Sequence, residues 1–360
     1  MFSMSITMNP LANPKGVKKL CILCQKPAKL QCTNCRVTLY CDNDHQQADW
    51  ISVHEKVCLL LVSIHAPAPF QTLHADREHH HTETLKKQKE LIKIAHEEAQ
   101  RWVSSKRFHH AIPAALLFLR WAVQLYGPRS IKLVPAYLLL AHANIGLDSM
   151  SQAQEYLSKA EWAVMNTPGC SPIVLHQLHR MLGRLHAATG KYPSALFHFS
   201  NDVYYASEVF GLESTETCGG YFLMADVFLK QNKPDITHSL YTEVAGFWHA
   251  HLCRLMERIS RSGTEPEDCF GEAQCVEVDQ MLRCIQDFEE HHKKPCSDLS
   301  AILFHSLAML WLLSNNYSKA LEYGKKAEML IEGLNDQNSM KEAIQNLLHF
   351  VEKHNIDLPQ

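Results

Sequence analysis

A mainly α-helical chain with one small, non-helical module near its N-terminus is what the sequence predicts. Three observations carry that expectation. Six of the thirteen cysteines crowd between Cys21 and Cys58. From Leu85 onward the apolar pattern is helical. Within that long remainder, small residues recur at a fixed interval of 42.

The totals bound the function classes. At 360 residues the chain has room for two domains, or for one domain and a small module. A net charge of -3 gives no field that would draw nucleic acid or anionic lipid. The start, "MFSMSITMNPLANPKG", lacks a charged region followed by an apolar core, and no apolar run reaches membrane-spanning length. A soluble intracellular protein is expected, with no membrane, nucleic-acid or small-molecule partner.

The module comes first. Its cysteines and histidines form four close pairs: Cys21 with Cys24, Cys32 with Cys35, Cys41 with His45, and His54 with Cys58. Spacings of two or three residues let one turn present two ligands to one metal, so eight donors suffice for two tetrahedral zinc sites. About 40 residues cannot bury enough apolar surface to fold unaided. Zinc can supply on the order of 10–16 kcal/mol per structural site, so the module is expected to fold when metallated. Residues 1–58 carry seven Lys/Arg against four Asp/Glu, which argues against direct DNA reading.

The segment "CILC…CTNC…YCDNDHQQADW…HEKVC" resembles a MYND zinc finger, with Tyr40, Gln46 and Trp50 where that family has them. The resemblance implies an interleaved cross-brace holding two structural Zn2+ ions. Cys21, Cys24, Cys41 and His45 would hold the first, and Cys32, Cys35, His54 and Cys58 the second. It also implies a module that binds proline-containing peptides. The sequence departs from the family pattern twice. His45 stands where cysteine is usual, and three residues rather than two separate Trp50 from His54, which is expected to shift a helical turn.

The next segment, residues 59–84, reads as a polar, proline-containing linker, and its triple histidine (His79, His80, His81) as a solvated stretch. Residues 1–20 read as a tail.

The repeats fill 85–335. Ala99, Ala141, Gly183 and Ala225 lie 42 apart, and Ala308 follows 83 later. Twelve residues after each comes Ala111, Ala153, Ala195, Thr237 and Ala320. Lys106, Asp148, Gly190, Asn232 and Asn315 occupy the turns between, and Gly127, Gly169 and Gly211 repeat where a helix end would want positive φ. Small residues let paired helices approach, with a large residue of the second wedged against the first. One pair cannot cover its own apolar face, so pairs are expected to stack as an α-solenoid. The stretch "LGRLHAATGKYPSALFHF" resembles a tetratricopeptide repeat, and the longer period resembles the kinesin light chain type. The 83-residue step predicts a degenerate or interrupted slot around 255–300, with "RSGTEPEDCFGEAQ" (261–274) as a loop. Residues 336–360 are expected to hold a capping helix and tail.

No phosphate loop, nucleophile elbow or H-E-x-x-H occurs, so no enzyme is expected. Cys253, Cys269, Cys275 and Cys284 do not pair by spacing, and His176, His179 and His186 read as packing or exposed residues. SET- and MYND-domain lysine methyltransferases need a β-rich domain for which the chain has no space. A cytosolic chaperone adaptor is an alternative: Arg180 and Arg184, four apart on one helix, would suit a carboxylate and are the candidate partner-binding residues. The order of parts resembles MYND and tetratricopeptide-repeat proteins of the cilium and sperm-flagellar axoneme. That resemblance implies a non-catalytic scaffold of the cytoplasm and cytoskeleton, with axonemal or dynein-associated protein partners.

Overall fold

The structure, a computed structural model of the chain, describes residues 5–8, 18–66, 74–262, 271–292, 298–331 and 338–355. The chain divides into two compact units, Met1–Cys170 and Ser171–Gln360.

The first unit opens with an antiparallel sheet of β1 (Ser5–Thr7), β2 (Leu30–Cys32) and β3 (Leu39–Tyr40), in that order. The expected tail at 1–20 is thereby corrected, since β1 pairs with the ligand-bearing β2 and places Ser5 opposite Cys32. Three residues are too few to show a strand period in sequence; the pairing satisfies an edge that β2 would otherwise leave open.

Helix α1 (Asn43–Asp49) starts on Asp42, whose side chain accepts from the His45 backbone N–H, and runs through a π-helical turn at Trp50–His54 into α2 (Glu55–His65). Then come α3 (His74–Ser104) and α4 (Phe108–Tyr126), a short 3-10 turn, α5 (Val134–Gly146) and α6 (Met150–Met165). The linker expected at 59–84 is therefore also corrected: α2 and α3 occupy most of it, and residues 67–73 lie outside the described part. The first half of α3 is mostly solvated, so it shows no apolar stripe. Pairs such as Lys86–Glu83, 2.7 Å apart, support it instead, and burial begins at Leu91. His79, His80 and His81 ride on this helix.

In the second unit, α7 (Pro172–Ala188) pairs with α8 (Tyr192–Phe210), α9 (Thr215–Lys230) with α10 (Pro234–Ser262), and α12 (Asp298–Leu313) with α13 (Tyr317–Ile331). Helix α14 (Asn338–Asn355) packs on α13. The irregular slot holds a helix, α11 (Glu272–His292), which fills the space beside α10 and α12 with Val278, Leu282, Ile285 and Phe288. Of the loop expected at 261–274, residues 263–270 lie outside the described part; its ends belong to α10 and α11.

The register is repeated at atomic detail. Second helices begin at Phe108, Met150, Tyr192, Pro234 and Tyr317. Lys106, Asp148, Gly190, Asn232 and Asn315 all have positive φ. At each, the same two backbone bonds close the preceding helix, as in Arg107 N–H to Trp102 C=O and Lys106 N–H to Val103 C=O, both 2.9 Å. This is the Schellman motif, which satisfies carbonyls a helix end leaves over. Both small-residue series are buried throughout. Thr237 takes an alanine slot because its hydroxyl donates to the Lys233 carbonyl at 3.0 Å.

Gly183 stands where the other repeats carry alanine. A Cβ there would lie 2.5 Å from the Phe199 ring of α8, and Phe199 is 1 % exposed, so the ring has nowhere to go. The large residue wedged against this position is thus Phe199. Gly183→Leu is expected to lower stability by about 1–3 kcal/mol through overpacking, despite removing a helical glycine. A urea midpoint shift that Phe199→Ala partly reverses would establish the clash; an unshifted midpoint would refute it. Among the described residues, no helix is long and apolar enough to cross a membrane.

Candidate metal centre

The eight predicted donors converge as two tetrads. In the first, Cys21 Sγ and His45 Nδ1 are 3.5 Å apart, Cys41 Sγ and His45 Nδ1 3.0 Å, and Cys24 Sγ and Cys41 Sγ 3.5 Å. In the second, Cys32 Sγ and Cys58 Sγ are 3.9 Å apart, and Cys35 Sγ and His54 Nε2 3.6 Å. Ligands about 2.0–2.3 Å from one zinc at tetrahedral angles stand roughly 3.3–3.8 Å from each other, so the geometry fits. Both sets are Cys3His, and the chain order interleaves them as a cross-brace.

The tetrads differ in environment. Cys24, Cys41 and His45 are half-buried, whereas all four donors of the second set are buried. Within that set the Cys32–Cys35 pair is poised to share one proton. The hydrogen bond from Cys32, then those from His54 and Thr38, holds the Cys35 thiol well below its usual range, while the same contact pushes Cys32 up. A ready thiolate lowers the cost of loading metal.

His54 presents Nε2 to Cys35, and its other nitrogen faces Thr38 Oγ1 at 3.4 Å and Asp49 Oδ2 at 3.5 Å. Asp49 also accepts from the Tyr40 hydroxyl at 2.7 Å, and burial raises its carboxyl above the usual range. A carboxylate behind a ligating imidazole orients the ring and raises its basicity. Sequence reasoning placed Tyr40 by family resemblance but missed Thr38 and Asp49, because neither belongs to a spaced pair. An acidic residue five before a histidine ligand was the only signal.

The extra residue between Trp50 and His54 has a definite structural result. Inserting one residue into a helix widens a turn to π geometry, and the π-helical turn spans Trp50–His54. Ser52, buried there, donates to the His110 carbonyl at 2.5 Å and accepts from the Ala114 N–H at 3.1 Å. Those two groups lie four apart on α4, beside Pro113, where a proline perturbs the ladder. Trp102 Nε1 donates to the Ser52 carbonyl at 2.9 Å. Both α3 and α4 are therefore clamped to the widened turn. Cys32, Cys35, Tyr40, Val57 and Cys58 share one apolar core with Leu91, Ala95, Ala114, Phe118 and Trp121.

Comparison with known families agrees with this geometry. The model of the MYND finger family matches residues 21–58. Those residues form a MYND finger. Two solved structures share similarity over longer stretches. BtubC (BKLC) from P. vanneervenii is 14% identical, with a TM-score of 0.32, covering 69% of this chain and 93% of that one. The Pseudomonas aeruginosa protein pilF is 14% identical, with a TM-score of 0.32, covering 72% and 98%.

The candidate partner-binding arginines separate. Arg180 Nε donates to Asp202 Oδ2 at 2.8 Å, and its terminal nitrogen donates to the Glu216 carbonyl, so this guanidinium is occupied by the chain itself. Arg184 has a buried Nε without a partner among the described residues. Of the α7 histidines, His176 bonds Asp202 at 3.1 Å, while His179 and His186 pack on His198, whose burial lowers it to about 4. The sequence reads them as packing or exposed residues; His176 is buried, and His179 and His186 are half-buried.

Proposed function

We propose that the chain is a non-catalytic protein-interaction scaffold whose finger is a structural part of the first helix pairs. One observation carries this reading. Four protein donors surround each metal position, which fills a tetrahedral shell and leaves no open site for a substrate or an activated water. Stacked helix pairs, for their part, offer extended surfaces suited to holding other proteins. A MYND finger joined to tetratricopeptide-like hairpins fits an adaptor rather than an enzyme.

The finer reading rests on resemblance. The order of parts, with "HQQADW" and "HEKVC", resembles zinc finger MYND-type protein twelve, which supports a place in the ciliary or sperm-flagellar axoneme beside dynein-related assembly. Arg184 is then the cation that meets the partner, since Arg180 is committed internally. Proximity labelling from the full chain in ciliated cells is expected to mark axonemal proteins. Arg184→Gln is expected to weaken their capture while zinc content and helicity hold. A tagged protein that stays diffuse and labels no ciliary component refutes the axonemal reading, and methyl transfer to a protein would refute the scaffold.

A further inference from the structure

In the first unit, the finger, α2 and α4 border a cleft of about 450 Å3, a size common among ligand sites. Its walls are apolar: Ile22 and Val37 come from the finger, Leu61 from α2, and Leu117 and Trp121 from α4. Its charges are all of one sign. Lys18 and Lys19 lead into the finger on one side, Arg120 stands on α4 on the other, and no aspartate or glutamate lines the space between. Lys18 is exposed, while Lys19 and Arg120 are half-buried. Arg120 donates to the Ile22 carbonyl at 2.5 Å, which occupies one of its five N–H groups. The acid that acts on it, Asp49, already accepts from Tyr40 and faces His54. Among the described residues, none of the three cations forms an ion pair.

A single solvated lysine needs no partner, but three cations around one apolar cleft repel one another. The sequence just before Lys18 (NPLANPKGV, 9–17) adds a further cation, Lys15, and that soon after α2 (PAPFQTL, 67–73) is uncharged. The counter-charge therefore has to come from outside this part of the chain. We propose that the cleft binds an acidic peptide segment with apolar side chains between its carboxylates. The cations draw the carboxylates, with Arg120 offering its planar fork to one of them, and the walls take the apolar side chains. Inorganic phosphate would leave those walls bare, and a fatty acid would satisfy one cation of three. The cleft is separate from the finger's signature side chains, since Tyr40, Gln46 and Trp50 do not line it. The scaffold reading enters only in taking the ligand to be a peptide.

The test titrates full-length, zinc-loaded protein into a fluorescein-labelled peptide with glutamates flanking a Leu-Leu pair, followed by anisotropy. Saturable binding is expected, weakening as salt rises. Peptides with glutamine for glutamate, or serine for leucine, are expected to bind at least about tenfold more weakly. Lys18→Gln together with Lys19→Gln is expected to weaken binding about fivefold, and Arg120→Gln about 20-fold, with zinc content and helicity unchanged. Arg120 also ties α4 to Ile22, so the lysine pair keeps the test informative if the arginine variant folds poorly. These readouts depend on neither ciliary placement nor methyl transfer, so they fail separately from the scaffold reading. Absence of saturable binding, equal affinity for the serine peptide, displacement by equimolar phosphate or oleate, or full affinity in the lysine variant overturns the proposal.

Discussion

Cys32→Ser is expected to unfold more than the finger. Cys32 is 1 % exposed, and its zinc tetrad lies in the same apolar core as α3 and α4. A structural zinc contributes on the order of 10–16 kcal/mol in isolated fingers, comparable to the whole stability of a typical domain, about 5–15 kcal/mol. Losing the second zinc removes the surface on which Leu91, Ala95, Phe118 and Trp121 pack, and it frees the turn that clamps α4 through Ser52. Elemental analysis should give about two zinc ions for wild type and at most one for the variant. Hydrogen exchange should accelerate across both α3 and α4. Cys24→Ser, in the half-buried tetrad, should leave those helices better protected. A metal-free chain with unchanged protection in α3 and α4 would refute the shared core.

Asp202→Ala should cost about 3–5 kcal/mol, the usual penalty for stranding one member of a buried ion pair. Asp202 is completely buried on α8 and receives Arg180 Nε and His176 Nδ1, both from α7. Arg180 also reaches the Glu216 carbonyl at the start of α9, so one guanidinium ties three helices together. Gly219 and Gly220 make room for it: a Cβ on the first would lie 3.2 Å from the guanidinium, and on the second 3.2 Å from the Asp202 carboxylate. Charge reversal at Arg180 would set two carboxylates together and cost more, so it is unsuitable as a probe of partner binding. The Arg180→Met, Asp202→Leu double variant should recover most of the stability, because apolar groups of similar volume avoid desolvating charge. A loss below about 1 kcal/mol for Asp202→Ala would show that the pair carries little.

What could be read from the sequence was chemistry between near neighbours. Four ligand pairs at spacings of two and three residues predicted two zinc sites, because a single turn brings such residues to one metal, while which pairs share an ion followed only from the resemblance to a MYND finger. Lys106, Asp148, Gly190, Asn232 and Asn315 marked their turns, because each ends a helix in a left-handed conformation that its neighbours impose locally. Ala99, Ala141, Gly183 and Ala225 set the period, because a close helix contact excludes larger side chains wherever it recurs.

The tertiary structure decided whatever depended on partners distant in the chain. Strand β1 is defined by β2, not by its own three residues. The solvated half of α3 carries no apolar stripe, so a helix there read as a linker. Arg180 looked free because Asp202, which neutralises it, is 22 residues away on another helix. The extra residue between Trp50 and His54 predicted a shifted helical turn, but not that the π-helical turn would carry Ser52 onto α4. Local spacing sets which residues share a turn, but only the crossing of one element over another sets which of them meet. That crossing is determined by packing across the whole unit.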